Sequence, residues 1–416
     1  MNNIQSYLCA ATDAYRGVVD PQFISLAQHF SRMQQPRAAQ GGAALVVYFQ
    51  GQKVVDIYTG KKSAVEDWQP DTLSVCYSTG KGVLATLVHI LVSSGRLDYD
   101  TPVAHYWPEF AQNGKQSITL RHILSHQSGL YDIRNLIETA AEMADWPHML
   151  DKIAQATPRF AVASDAAYQA LTFGWLVGGV LEKATKQSLA DLMQHYLVQP
   201  LQLDGAYFGI PSDQLERVAR PFKVAQTAQK LAPAKKSKTH KLSIFDRVIQ
   251  WSGQDPKDFQ DAMIPKAMKD FSFFSDVGLS AIIPAANGVF TAQSLAKIYA
   301  MLANKGVWNG QELMNAQVFD ELSRIQYTQR DRIMPLPMHW RLGYHRILSL
   351  GKRTHGFGHM GFNGSGAWCD PNRHLSFAYT HNFTSASITG DYRLWGLTQE
   401  TLRCADQQLK GKKGWF

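Results

Sequence analysis

Cysteine is scarce in this chain: Cys9, Cys76, Cys369 and Cys404 are the four among 416 residues, and no two form a CxxC pair. Such spacing argues against a disulfide framework and a structural zinc site, and it points to a reducing compartment. Also missing is any run of about 18 uncharged apolar residues, so no membrane span is expected. The opening residues, MNNIQSYLCAATDAYRG, lack the basic stretch and apolar core of a secretory signal. A cytoplasmic protein is the expectation. Familiar catalytic signatures are absent too. HExxH does not occur, and the nearest string to GxSxG, Asn363-Gly364-Ser365-Gly366, lacks its first glycine. The Ser-Thr-Gly-Lys-Gly run fails as a phosphate loop: Val75 stands where its first glycine belongs, and Gly82 where Ser or Thr binds magnesium. His122 with His126, and His355 with His359, have four-residue spacing but no acidic ligand beside them. No metal or organic cofactor is expected.

What is present is a chain built to fold around a large core. It is 45% apolar, 18% charged and 11% aromatic, which is a globular composition rather than a disordered one. At roughly 150 residues per domain the length suggests two or three domains. Lysine and arginine exceed the acids by 42 − 34 = 8. The window from Arg217 to Lys241 holds eight cations and no acid, and so contains the whole excess. With one aromatic in RPFKVAQTAQKLAPAKKSKTHKLS, it lacks the stacking residues of a nucleic-acid face. It reads as a solvated insertion, and no nucleic-acid partner is expected.

Residues 43–60, AALVVYFQGQKVVDIYTG, predict a hairpin turning at Gln50-Gly51-Gln52. From Thr79 to Ser94 apolar residues cover every side, which predicts a buried helix. Helical patterns with Gly and Pro punctuation fill 118–210, and an apolar helix follows the IPAANG loop after Ser280. HWRLGYHRIL, FGHMGFNGSGAWCD and HLSFAYTHN predict C-terminal strands before a last helix from about Arg393 to Leu409. Strand-rich ends enclosing a helical middle predict an α+β fold, with one antiparallel sheet drawn from both termini.

Within the buried helix, Ser78-x-x-Lys81 carries chemistry. Residues three apart share a helical face, so the amine reaches the hydroxyl. Burial and the positive helix N-terminus disfavour an ammonium ion there, leaving a neutral amine able to accept a proton. The Ser78 amide is also a candidate oxyanion donor. SxxK by itself is equally a capping serine with a surface lysine; the apolar surroundings of Lys81 speak against that.

The motif is followed by GRLDYDTPVAHYWPEF (95–110), ITLRHILSHQSGL (118–130), AYQALTFGWLVGGVLE (167–182), IPAANGVFTAQSLAKIYAMLANKG (283–306) and FGHMGFNGSGAWCDPNRHLSFAYTHN (357–382). In that order and spacing the chain resembles the serine β-lactamase-like hydrolases. That family groups class C β-lactamases, low-molecular-weight DD-peptidases, D-aminopeptidases and family VIII carboxylesterases. The resemblance covers about residues 40–400. It implies the β-lactamase-like fold: an α/β domain from 1–97 and 285–416, and a helical domain from 98–284 carrying the basic insertion near 212–280. It further implies that Ser78 is the nucleophile, Lys81 its activating lysine and Tyr168 the proton relay of the second motif. A phenol near two cations is expected to have a depressed pKa. His359-Met360-Gly361 matches the third motif, with Gly361 admitting substrate to the backbone and the Phe362 amide as second oxyanion donor.

The departures from the β-lactamase pattern are specific. Tyr168-Gln169-Ala170 lacks the asparagine that binds an antibiotic's side-chain amide, and His359-Met360 replaces the Lys-Thr pair that would hold its carboxylate. The resemblance therefore implies the esterase-like branch, cleaving small carboxylic esters through an acyl-enzyme. A β-lactamase, a D-amino-acid peptidase or amidase, an acyltransferase, and a catalytically silent binding protein stand as alternatives.

Overall fold

The computed structural model describes residues 14–34, 40–222, 253–349, 354–383 and 392–413, with no side-chain description for 411–413. Most of the basic window, Lys223 to Lys241, lies outside the described residues. Arg217 and Arg220 at its start are paired with Asp204 and Asp276 at 2.9 and 2.6 Å.

Seven strands form one antiparallel sheet: β1 (Arg16–Val19), β2 (Gly42–Phe49), β3 (Gln52–Gly60), β4 (His345–Arg346), β5 (Phe357–Met360), β6 (Gly366–Asp370) and β7 (Leu375–His381). Their order is β1-β3-β2-β7-β6-β5-β4, so both ends of the chain meet where β2 pairs with β7. The β2–β3 hairpin turns at Gln50 and Gly51, whose φ angles of 50° and 78° suit the tight turns that match strand twist.

Strand β2 is buried on both faces, which explains its unbroken apolar run. Ala43, Leu45 and Val47 face α1 (Ile24–Gln34) and the C-terminal helix, whereas Ala44, Val46 and Tyr48 face the main core. Successive side chains on a strand point to opposite sides, and here each side finds its own helical layer. The main core continues from Val46 through α2 (Thr79–Ser93) into α3 (Thr172–Thr185) and the helix Ala292–Ala303. No helix among the described residues is long and apolar enough to cross a membrane.

One expected strand is largely missing. Of HWRLGYHRIL only His345–Arg346 pairs in the sheet. His339 and Gly343 take φ of 51° and 82°, and a Cβ on Gly343 would meet that of Ala85 at 2.2 Å. The segment is pressed onto α2 and turns there instead of extending.

Candidate active site

Helix α2 begins directly after a strained turn. Tyr77 sits at φ 48°, a left-handed conformation that costs a non-glycine residue roughly 1–2 kcal/mol. Its ring lies 6.1 to 6.3 Å from those of Phe273, Phe274 and Phe362, and this aromatic packing holds the turn. Ser78 follows, partly exposed, with the helix rising behind it.

One turn on, Lys81 is fully buried. Its Nζ lies 2.9 Å from Ser78 Oγ, 2.7 Å from the Ala170 carbonyl oxygen and 2.9 Å from that of Ala285. Burial pushes its pKa well below the ordinary lysine value. A neutral amine has two N–H bonds and one lone pair. With both N–H groups donated to the carbonyls, the lone pair faces the serine hydroxyl. The Ala285 carbonyl is held by a braced loop: Asn287 donates to the carbonyls of Gly278 and Ala281 and accepts from the Ile283 amide.

Tyr168 is buried with Lys81 Nζ 4.9 Å from its ring centroid, and its hydroxyl is hydrogen-bonded to Ser78. The expected depression of its pKa is not found. Desolvation dominates and pushes the phenol up, outweighing the hydrogen bond with Ser78 that favours the phenolate. Tyr168 is a proton donor in this state, not a standing phenolate.

His359 lies opposite on β5, 6.1 Å from the Tyr168 ring and 96% buried. Burial holds it well below its usual pKa, so it is neutral. Its Nδ1–H donates to the Met360 carbonyl at 3.0 Å, while the buried Nε2 has no partner among the described residues. Beyond it the chain turns at Gly361, where a Cβ would come within 2.3 Å of the Cys76 carbonyl oxygen. The side-chain-free position lets the strand end close on the Ser78 turn. Among the described residues, neither the Ser78 nor the Phe362 amide donates a hydrogen bond, so both are free for an oxyanion. All six residues singled out in the sequence thus converge.

Sequence reasoning missed several others. Trp340 stacks on Tyr168 with centroids 5.5 Å apart and planes at 7°, and His126 packs edge-on against both rings. His345 accepts the Met360 amide at Nε2, 3.0 Å away, and fixes the third motif from behind. HWRLGYH did hold Trp340 and His345, but a strand was expected there. Met263, Met334, Met338 and Met360 line the cavity at Ser78, which is small, about 40 Å³, or room for about three waters. Among the described residues lining it there is no lysine, arginine or carboxylate. Thioethers are flexible and polarizable, so this wall yields to an entering apolar group.

The beta-lactamase family model matches residues 26–398. A curated relative named esterase/beta-lactamase LipL, from Mycobacterium tuberculosis, is 35% identical over 373 residues, covering 88% of this chain and 82% of its own. The structure of a family VIII carboxylesterase superposes with TM-score 0.80 at 28% identity, covering 94% of this chain and 99% of the other. A penicillin-binding protein homologue from Caulobacter crescentus gives 0.78 at 28% identity over the same shares. Fold, motif order and the Ser78–Lys81 pair agree: this chain belongs to the beta-lactamase family.

Proposed function

We propose that this protein is a serine hydrolase that cleaves small carboxylic esters through an acyl-enzyme on Ser78. The observation that carries the reading is the Lys81 amine, desolvated and held by two carbonyls with its Nζ 2.9 Å from Ser78 Oγ. Ser78 Oγ attacks the ester carbonyl as its proton passes to Lys81. The amides of Ser78 and Phe362 receive the oxyanion. When the tetrahedral intermediate collapses, the carbon–oxygen bond to the alcohol breaks. Tyr168 gives its proton to the departing oxygen and recovers one from the Lys81 ammonium beside it. Water then attacks the acyl-enzyme along the same path, releasing the acid and restoring Ser78. His359 Nε2 is the acceptor offered to a donor group on the substrate. No step calls for a metal or organic cofactor.

The same reading keeps the α/β domain of 1–97 and 285–416 around a helical domain of 98–284, supported by the seven-stranded sheet drawn from both ends. It keeps a cytoplasmic location, supported by three buried free thiols at Cys76, Cys369 and Cys404.

The relative named esterase/beta-lactamase makes β-lactam hydrolysis the second reading. The uncharged methionine lining speaks for esters, because a β-lactam carboxylate finds no cation among the described residues of that wall. A missing charge-assisted anchor costs about 1.5–3 kcal/mol, or roughly one to two orders of magnitude in rate constant. In a side-by-side steady-state assay at neutral pH, kcat/KM for p-nitrophenyl butyrate is expected to exceed that for a chromogenic cephalosporin by at least about a hundredfold. A cephalosporin rate equal to or above the ester rate would overturn the esterase reading.

A further inference from the structure

Asp331 takes no part in the proton path above, yet it is a carboxylate sealed in the protein at 2% exposure. All its hydrogen-bond donors are uncharged N–H groups. Oδ1 accepts the amides of Ile333 and Met334 at 2.7 and 2.8 Å. Oδ2 accepts Trp340 Nε1 at 2.7 Å, and the Tyr168 amide adds a fourth bond. Arg332 turns away to Asp165, 2.7 Å from it. A buried carboxylate without a cationic partner is costly. Burial pushes its pKa up to about 6, and the four donors leave it ionised at neutral pH. An apolar side chain would fill the same space without that cost, so the charge calls for a reason.

The geometry supplies one. Asp331 reaches Tyr168 by two routes: directly at the backbone amide, and through Trp340, whose indole lies flat on the phenol ring. One route sets where the Tyr168 backbone sits; the other sets the plane of its ring. Together they aim the hydroxyl at Ser78. An amide side chain could not replace the carboxylate, because its single oxygen cannot face the loop amides and the indole N–H at once. We propose that Asp331 is a positioning residue that holds Tyr168 in the orientation from which it protonates the departing alcohol.

The proposal rests on the reading of Tyr168 as that donor, and its test separates the two. Protonation matters for ethyl butyrate, whose leaving group is a strong base, and little for p-nitrophenyl butyrate, whose leaving group departs unaided. Asp331→Asn in the full chain is expected to lower kcat/KM for ethyl butyrate by about ten- to a hundredfold and for p-nitrophenyl butyrate by less than about threefold. In the Tyr168→Phe background it is expected to cost nothing further on ethyl butyrate, since residues acting as one unit are not additive. Equal losses on both esters, or an undiminished loss in the Tyr168→Phe background, would show a general packing role and overturn the proposal. If Asp331→Asn does not fold, Trp340→Phe keeps the stacked ring and gives up the bond to Asp331. The same selective loss on ethyl butyrate is then expected, and a uniform loss or none overturns the proposal. Full ethyl butyrate activity in Tyr168→Phe alone would refute the donor role itself, and the positioning role with it.

Discussion

Lys81 shows what burial does to a side chain that would be an ordinary cation on the surface. Desolvation lowers its pKa, and the carbonyls of Ala170 and Ala285 orient the amine that results. In the proposed mechanism the neutral form is the one that accepts the Ser78 proton. Protonation as pH falls through the lowered pKa therefore removes the base, and activity is lost toward acid. Labelling of Ser78 by a fluorophosphonate is expected to follow this course and to vanish in Ser78→Ala. Lys81→Arg is expected to lower the labelling rate by two to four orders of magnitude, roughly the worth of a general base, because guanidinium does not deprotonate. An arginine variant labelled as fast as wild type would rule Lys81 out as the base. Tyr168 carries the complementary lesson. Its identity was legible from the spacing of motifs, but the sign of its pKa shift was not. That sign is set by the burial of the phenol, which a string of letters does not reveal.

At the scale of elements, local sequence was a good guide where one rule dominated. The β2–β3 hairpin turned where Gln50-Gly51 offered two residues at positive φ, and α2 was buried because no side of it is polar. Prediction broke down at 339–348, where the contact of Gly343 with Ala85 bends the chain away from a strand. The end of β5 makes another close contact of this kind. Gly361 lies against the Cys76 carbonyl, and backbone on that side cannot give way. Gly361→Ala is expected to cost about 1–3 kcal/mol of stability by overpacking. It should also slow p-nitrophenyl butyrate hydrolysis by displacing the Phe362 amide from the oxyanion. Thermal melts and steady-state rates check both effects; a variant with unchanged melting and rate would mean that the strand end has slack.

The whole molecule stores an acid sensitivity in its buried histidines. Burial lowers His89 and His126 to about 3 and His345 to about 4, and takes His359 well below its usual value. An unfolded histidine titrates near 6.5, so between that pH and the folded values the unfolded chain binds more protons. Stability therefore falls as pH drops below 6.5, by about 1.4 kcal/mol per pH unit for each histidine. Asp331 works in the opposite sense: its folded pKa of about 6 lies above the unfolded value, and it gains from acid over the same window. Four histidines outweigh one aspartate. Urea unfolding is expected to show a loss of at least about 3 kcal/mol between pH 7 and pH 5. Equal or greater stability at pH 5 would mean that these imidazoles are charged or solvated in the folded protein.

The sequence by itself determined the family and singled out the groups proposed to react. Motif order from Ser78 to His359 survives as letters in a row, and the strand-rich ends already implied one sheet closed by both termini. Short-range rules suffice for such features, because helical spacing and strand alternation are set by residues a few positions apart. Only the tertiary structure decided how those groups behave. The carbonyls of Ala170 and Ala285 orient Lys81 from 89 and 204 positions away. Backbone carbonyls have no residue identity to read. Asp331, Met334, Met338 and Trp340 come together through a segment that forms no regular element. Desolvation is a property of the assembled core, and it set the protonation of Lys81, Tyr168 and His359.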